Sequence, residues 1–234
     1  MSLSCRVAPY PAVLARPGIR IQACRFEHGE QPLQQFAADG LDPLLLPDAL
    51  RQAVPKRQAE FLAGRYCAAL ACRALDGTQP SITIGPGRAP QWPVGRVGSI
   101  SHVQGYALCA VAKRTDFIGL GIDVETLTPG DDLGALARQI ASDAELACLG
   151  RQRGDPLAFT LLFSAKEAIY KALYPEAQRF IDFDEVQCVG ATYNQLHFQT
   201  GPGLNDLFPN GQRLQVLYGQ WQHLIFTLCA REAR

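Results

Sequence analysis

Two short segments hold side chains that could do chemistry together: Asp123 and Glu125 in Gly-Ile-Asp-Val-Glu (121–125), and Glu167 and Lys171 in Phe-Ser-Ala-Lys-Glu-Ala-Ile-Tyr-Lys-Ala (163–172). The first alternates with period two, Ile118, Leu120, Ile122 and Val124 against Gly119, Gly121, Asp123 and Glu125. That pattern predicts a strand with both carboxylates on one face. The second predicts a helix, with Leu162, Ile169 and Leu173 on one stripe and Ser164, Glu167 and Lys171 on another. A helix crossing the end of that strand would bring three carboxylates and one ammonium together. Hard oxygen donors suit Mg²⁺, which keeps several waters and takes further ligands from a phosphorylated substrate. The chemistry indicated is Mg²⁺-dependent work on a phosphate ester. Neither segment demands it alone, because a Glu–Lys pair four apart is commonly a solvated helix face.

The elements around these segments are legible in outline. Ile19–Phe26 alternates as a strand. Residues 55–75 predict a long helix with Ala59, Leu62, Tyr66, Ala69 and Leu70 on one stripe and Arg57, Phe61 and Arg65 on a neighbouring face. Gly64 costs that helix about 1 kcal/mol against Ala, which is expected where something approaches the backbone closely. Residues 79–95 are rich in Gly and Pro and predict loop around a short strand, Ser81–Ile84. Strands follow over 97–101 and 105–112, with His102 at the turn, and a second turn over Lys113–Asp116 leads into the Asp123 strand. Ser142-x-x-Glu145 reads as a capping box opening a helix. The Glu167 helix is expected to stop before Pro175, and strands are expected near 184–190, 194–200, 213–219 and 223–230. Helix followed by antiparallel strands in both halves predicts an α+β fold, with a boundary near Asp116.

Twenty-two basic and twenty-two acidic residues cancel, which argues against a general nucleic-acid or membrane-surface binder. The eight cysteines are scattered without a Cys-x-x-Cys, and no basic start followed by an apolar run opens the chain. The expectation is a cytoplasmic protein with free thiols, no membrane span and no zinc.

A third segment, Gly98-Ser99-Ile100-Ser101-His102, joins the first two. With Lys56–Arg65, Gly87-Arg88-Ala89-Pro90 and Trp92-Pro93, they make five ordered blocks over roughly residues 55 to 175. In order and spacing this set resembles the 4′-phosphopantetheinyl transferases, in the branch of the surfactin-type enzymes and enterobactin synthase component D. The resemblance implies a pseudo-dimer of two similar lobes, 1–116 and 117–234, each a helix on an antiparallel sheet. It implies transfer of phosphopantetheine from coenzyme A to a serine of an apo acyl or peptidyl carrier protein, by a monomer. It assigns the Mg²⁺ to Asp123, Glu125 and Glu167 and the pyrophosphate to Lys171, with Asp123, Glu167 and Lys171 as the catalytic set. Arg57, Arg65, Arg88, Ser101 and His102 match positions for the nucleotide end. Arg65, Ser101 and His102 fall to the 3′-phosphate and Arg88 to the adenine. Lys166 is secondary, and Trp92 reads equally as core.

Two other readings compete. One is a different Mg²⁺-dependent coenzyme A or nucleotide phosphotransferase, although no phosphate-binding Gly-x-x-x-x-Gly-Lys-Ser/Thr loop or Gly-x-Gly-x-x-Gly fingerprint is present. The other is a non-catalytic carrier-binding homologue, although every polar residue the family needs is in place. For carrier docking, Leu133, Leu136, Ile140, Leu146 and Leu149, rimmed by Arg138, Arg151 and Arg153, offer a candidate apolar patch, or else ordinary core and surface.

Overall fold

A computed structural model describes residues 5–27, 46–127, 134–209 and 211–233. It is an α+β protein whose residues divide into two compact units: Met1–Tyr10 with Ala15–Asp116, and Pro11–Leu14 with Phe117–Arg234.

In the first unit, β1 (Cys5–Val7), β2 (Ile19–Phe26), β5 (Arg96–Val103) and β6 (Tyr106–Lys113) form an antiparallel sheet in the order β1-β2-β6-β5. The short helix α1 (Asp48–Arg51) precedes α2 (Pro55–Asp76), which packs on this sheet, and β3 (Thr83–Ile84) with β4 (Pro90–Gln91) make a separate hairpin. Helix α2 opens on Pro55, whose missing N–H costs nothing in a first turn, and closes on Gly77 in the left-handed region. Its buried face is Ala59, Leu62, Ala63, Cys67, Ala68, Ala71 and Cys72. Tyr66, Ala69 and Leu70, expected on the core stripe, are only half-buried. Small side chains let the helix lie close to the sheet, so the contact face turned toward them and away from the larger residues. Gly64 sits where a Cβ would come within 2.8 Å of Ile100 Cγ2. Gly98 lies under the Trp92 ring, itself packed against the core.

In the second unit, β7 (Phe117–Thr126), β8 (Val186–Thr192), β9 (Gln195–Thr200), β10 (Arg213–Trp221) and β11 (Leu224–Glu232) form an antiparallel sheet in the order β7-β11-β10-β9-β8. Helices α3 (Gly134–Ile140) and α4 (Asp143–Cys148) lead to α5 (Pro156–Ala177), which covers one face. The expected capping box is present: Ser142 and Glu145 exchange side-chain bonds with each other's backbone. Asp155 caps α5 by accepting from Leu157 N and Ala158 N. The helix does not stop before Pro175. It runs on through most of a further turn to Ala177 and ends on Gln178 in the left-handed conformation, since a proline in the last turn sacrifices only one bond.

The seating of α5 on β7 decides where the polar side chains go. A Cβ at Gly119 would overlap the Ala172 carbonyl, and one at Gly121 would overlap the Ala168 carbonyl. Ser164 then stands over Asp123. Each step is two residues of strand, about 6.8 Å, against four of helix, about 6 Å. The two repeats match, and the helix runs antiparallel along one face of the strand.

Gly121→Ala is therefore expected to destabilise the protein by more than about 3 kcal/mol, because backbone cannot yield as a side chain can. Gly190→Ala, whose added Cβ would come no nearer than 3.8 Å to its neighbours, is the control and stays close to wild type. Urea unfolding of both variants checks this, and a Gly121→Ala midpoint at the wild-type value would refute the seating described.

Candidate active site

The face of β7 that carries Gly119 and Gly121 also carries Asp123 and Glu125, so both carboxylates lie toward α5. Asp123 is 2% exposed. Its Oδ1 accepts from Lys171 Nζ at 2.5 Å and its Oδ2 accepts from Ser164 Oγ at 2.8 Å. Lys171 Nζ also reaches Ile122 O at 3.3 Å. Glu125 is half-buried, and its carboxyl is pushed up to about 8, by burial first and by the charge of Asp123 second. Burial likewise raises the Glu167 carboxyl, with Asp123 adding to the shift and Lys171 opposing it. The three carboxylates thus share one electrostatic environment that a single ammonium only partly neutralises. Among the described residues, no group of three or more His, Cys, Asp or Glu is gathered closely enough to hold a metal ion. Asp123 instead pairs with Lys171.

Lys166 has a different task from its neighbour Glu167. It is buried, pairs with Glu145 Oε1 at 2.7 Å, and donates to Ile140 O and Phe183 O, each at 2.8 Å. Burial lowers its pKa, and the Glu145 hydrogen bond and charge oppose that shift. Glu145 also accepts from Cys188 N at 3.0 Å. This ion pair joins α4, α5 and β8 and was not expected from the sequence beyond the Ser142 cap.

In the first unit, basic groups collect where α2 meets β5. Arg65 is 6% exposed, lies 4.4 Å over the Phe61 ring, and has a buried Nε with no hydrogen-bond partner. Burial pulls its pKa down to about 10. Arg57 Nη1 lies 3.3 Å from His102 Nε2 and 3.5 Å from Glu60 Oε2. His102 is not in the turn. It lies inside β5 opposite Ala107, on the Ile100 side of the strand that faces α2. Its neighbour Ser101 is buried and, one residue earlier in the strand, points to the other face, so the two side chains do not converge. Arg88 stands apart, exposed, in a tight turn where its own φ is +64°.

Of the two readings of the leucines between the acidic segments, the described residues favour core. Ile140 and Leu146 are buried, and Leu149 packs half-buried on the second unit's core. Leu133 and the Leu136 side chain lie outside the described residues. Of the arginines, Arg151 pairs with Asp155 at 3.1 Å and Arg153 with Asp143 at 2.5 Å, while Arg138 is exposed. Amphipathic helices bury their apolar stripe whether or not their other face binds a partner, which is why the sequence left both readings open. Thr227 was missed altogether. Opposite Asp123 in the β7–β11 register, it shares a hydrogen bond with Ser164 Oγ at 2.9 Å. The signal for the close helix–strand contact was the run Ser164, Ala168, Ala172, small at every fourth position, facing a strand with Gly at every second.

Comparison with known proteins identifies the family. Residues 46–112 match the 4′-phosphopantetheinyl transferase N-terminal domain, and residues 119–225 match the 4′-phosphopantetheinyl transferase superfamily. The chain is 39% identical to 4′-phosphopantetheinyl transferase Svp of Streptomyces mobaraensis over 79% of its own length and 76% of that protein. It is 38% identical to enterobactin synthase component D of Escherichia coli O157:H7, over 82% and 86% of the two chains. It is 36% identical to 4′-phosphopantetheinyl transferase PptT of Mycobacterium tuberculosis, over 62% and 64%. Together with the acidic cluster on β7 and α5, these matches make the chain a member of the 4′-phosphopantetheinyl transferase superfamily.

Proposed function

We propose that this protein transfers the 4′-phosphopantetheine arm of coenzyme A to a serine hydroxyl of an apo acyl or peptidyl carrier protein, releasing adenosine 3′,5′-bisphosphate. The observation that supports it most, in a chain of this family, is the convergence of Lys171 with three electrostatically coupled carboxylates. The serine oxygen attacks the β-phosphorus. A P–O bond forms there as the bond to the bridging oxygen breaks, and that oxygen leaves on the α-phosphate. Catalysis of such a step is mostly positioning and charge neutralisation.

The donors of the second unit suit Mg²⁺ in kind, although among the described residues they are not drawn together into a metal cluster. They are all oxygen, and burial pushes two of the three carboxyls upward, with the Asp123 charge adding to the shift. Asp123, Glu125 and Glu167 would hold the ion, which when bound supplies charge neutralisation at the pyrophosphate. Lys171 gives a point charge for the same oxygens. The serine proton falls to Glu167 or Glu125, whose carboxyls burial raises from their ordinary value. For the first unit we propose the nucleotide end of coenzyme A. Arg57, Arg65 and His102 suit the 3′-phosphate, since Arg65 Nε is a buried donor still unused. Arg88 suits the adenine side, and Ser101 contributes only through the strand it shares with His102.

The setting we infer is the cytoplasm, where thiols stay reduced: all eight cysteines are thiols, seven of them buried. Among the described residues no helix is long and apolar enough to cross a membrane. We infer a monomer, and a dimer in sedimentation equilibrium would overturn that. Neither a different phosphotransferase nor a non-catalytic homologue is favoured, because the family matches and the intact set Asp123, Glu125, Glu167 and Lys171 point the same way.

Incubation of the protein with Mg²⁺, coenzyme A and an apo carrier protein should add one phosphopantetheine to the carrier mass. Asp123→Ala should remove nearly all of that activity, and a variant near wild type would remove the acidic cluster from the reaction. No mass gain with several carriers would refute the transfer itself.

Loss of one charge-assisted contact costs roughly 1.5–3 kcal/mol, about ten- to a hundredfold in binding. Arg65→Ala and His102→Ala should weaken coenzyme A use by that factor and lose discrimination against dephospho-coenzyme A. Full discrimination in both variants would send the 3′-phosphate elsewhere.

Glu125 makes the metal-free protein pH-sensitive. Its folded pKa of about 8 lies above its ordinary 4.5, so the folded state holds the proton more tightly than the unfolded state. Stability should fall as pH rises from about 4.5 through 8. Mg²⁺ should restore it, binding more tightly as pH rises and displacing the Glu125 proton at pH below about 8. Thermal unfolding across this range, with and without Mg²⁺, measures the effect, and Glu125→Gln should flatten the metal-free curve. An unchanged slope in Glu125→Gln would assign the titration to another group.

A further inference from the structure

We infer that Ser164 and Thr227 are positioning residues, a buried hydroxyl chain that holds the Asp123 carboxylate in the one orientation from which its Oδ1 can serve the site. This rests on the proposed role of Asp123 toward a divalent cation. Ser164 and Thr227 are each 0% exposed, so neither reaches solvent. Ser164 comes from α5, one turn before Glu167 is reached, and Thr227 comes from β11 directly opposite Asp123.

The hydrogens of this chain can be ordered from its charged end. Asp123 faces the Lys171 ammonium at 2.5 Å and is a carboxylate, which only accepts. The 2.8 Å contact at Oδ2 must therefore use the Ser164 hydroxyl proton. Ser164 Oγ is then left to accept, so in its 2.9 Å contact with Thr227 Oγ1 the threonine is the donor. The same threonine hydroxyl also lies 2.9 Å from Ser164 O, so its proton is shared between two oxygens of one residue. The direction is Thr227 to Ser164 to Asp123. One oxygen of the carboxylate is thereby fixed inside the unit, and the other stays with Lys171. Without the chain, Asp123 Oδ2 would lose the Ser164 hydrogen bond, and only the Lys171 contact at Oδ1 and packing would hold the orientation of the carboxylate.

The test uses the full-length protein and Mn²⁺ as a spectroscopic probe, with free ion read by electron paramagnetic resonance. Ser164→Ala and Thr227→Val should each weaken Mn²⁺ binding by about 10- to 100-fold. Thr227→Ser keeps the hydroxyl and deletes a buried methyl, so it should bind Mn²⁺ as wild type does even where its urea midpoint falls. The double variant Ser164→Ala/Thr227→Val should be no weaker than Ser164→Ala, because Thr227 acts through Ser164. A merely structural role gives the opposite ranking, with Thr227→Ser impaired and Thr227→Val, which keeps the shape, unimpaired. That result overturns the inference. Should Ser164→Ala fail to fold, Ser164→Cys, nearly the same size with a weaker donor, is expected to bind with intermediate affinity, and wild-type affinity there also overturns it. Asp123→Ala separates the two levels of the argument. If it binds Mn²⁺ like wild type, the proposed metal role itself is wrong. If it loses Mn²⁺ while Ser164→Ala and Thr227→Val do not, only the hydroxyl chain is wrong.

Discussion

Everything in the second unit depends on how closely α5 lies on β7. Two glycines of the strand have no side chain because the helix backbone occupies that space: the Ala168 carbonyl stands over Gly121 and the Ala172 carbonyl over Gly119. Two strand residues span nearly the same distance as four helix residues. The match continues to Asp123, where Ser164 takes the place of an alanine and bonds to the carboxylate instead of merely packing on it. Lys171 then reaches the same carboxylate from further along the helix. A helix held even a side chain's width further away could not bring a serine hydroxyl and a lysine ammonium to opposite oxygens of one buried aspartate.

Such proximity has an electrostatic cost, and the unit meets it unevenly. Asp123 receives both an ion pair and a hydrogen bond. Glu125 and Glu167 receive less, and burial beside like charge leaves them with raised pKa values. Negative charge is therefore concentrated but incompletely neutralised at one end of the helix–strand contact. In the first unit the imbalance has the other sign. The guanidinium of Arg65 is buried over an aromatic ring with Nε unpaired, and Arg57 leans on a histidine instead of a second carboxylate. Each unit thus holds buried charge that its own packing leaves incompletely matched, negative in the second and positive in the first.

Most of the elements could be read from the sequence because their signals are local. The strand Ile19–Phe26, the helix from Pro55, the Ser142 capping box and the alternation through Asp123 all declare themselves within a few residues. What escaped depends on partners distant in the chain. The core face of α2 turned toward Ala63 and Cys67 because the sheet beneath it favours small residues. His102 lies inside a strand because the turn is made by Gln104 and Gly105, and only the pairing with Ala107 shows that. Thr227 is invisible as a site residue, since a threonine in a strand ordinarily signals nothing more than β propensity. The leucines after the β7 strand carried a real amphipathic signal, but the signal says that a face is buried and not what buries it.

The rotation of α5 about its own axis is the last constraint, and it is set by residues with no chemical task. Successive helical residues point about 100° apart, so a slip of one position would present Lys166 where Glu167 now stands and reverse the local charge. Two buried polar residues oppose that slip. Ser164 is tied to Asp123 and Thr227 on the sheet, and Lys166 is tied to Glu145, Ile140 O and Phe183 O. Buried ion pairs add little net stability against apolar residues of the same shape, but breaking one partner is costly. A rotated helix would leave the Lys166 ammonium and the Glu145 carboxylate both buried and separated. An apolar stripe tolerates small rotations because hydrophobic contact is non-directional, whereas these hydrogen bonds do not. The pair therefore acts on register more than on energy, and it keeps Glu167 and Lys171, rather than their neighbours, beside Asp123.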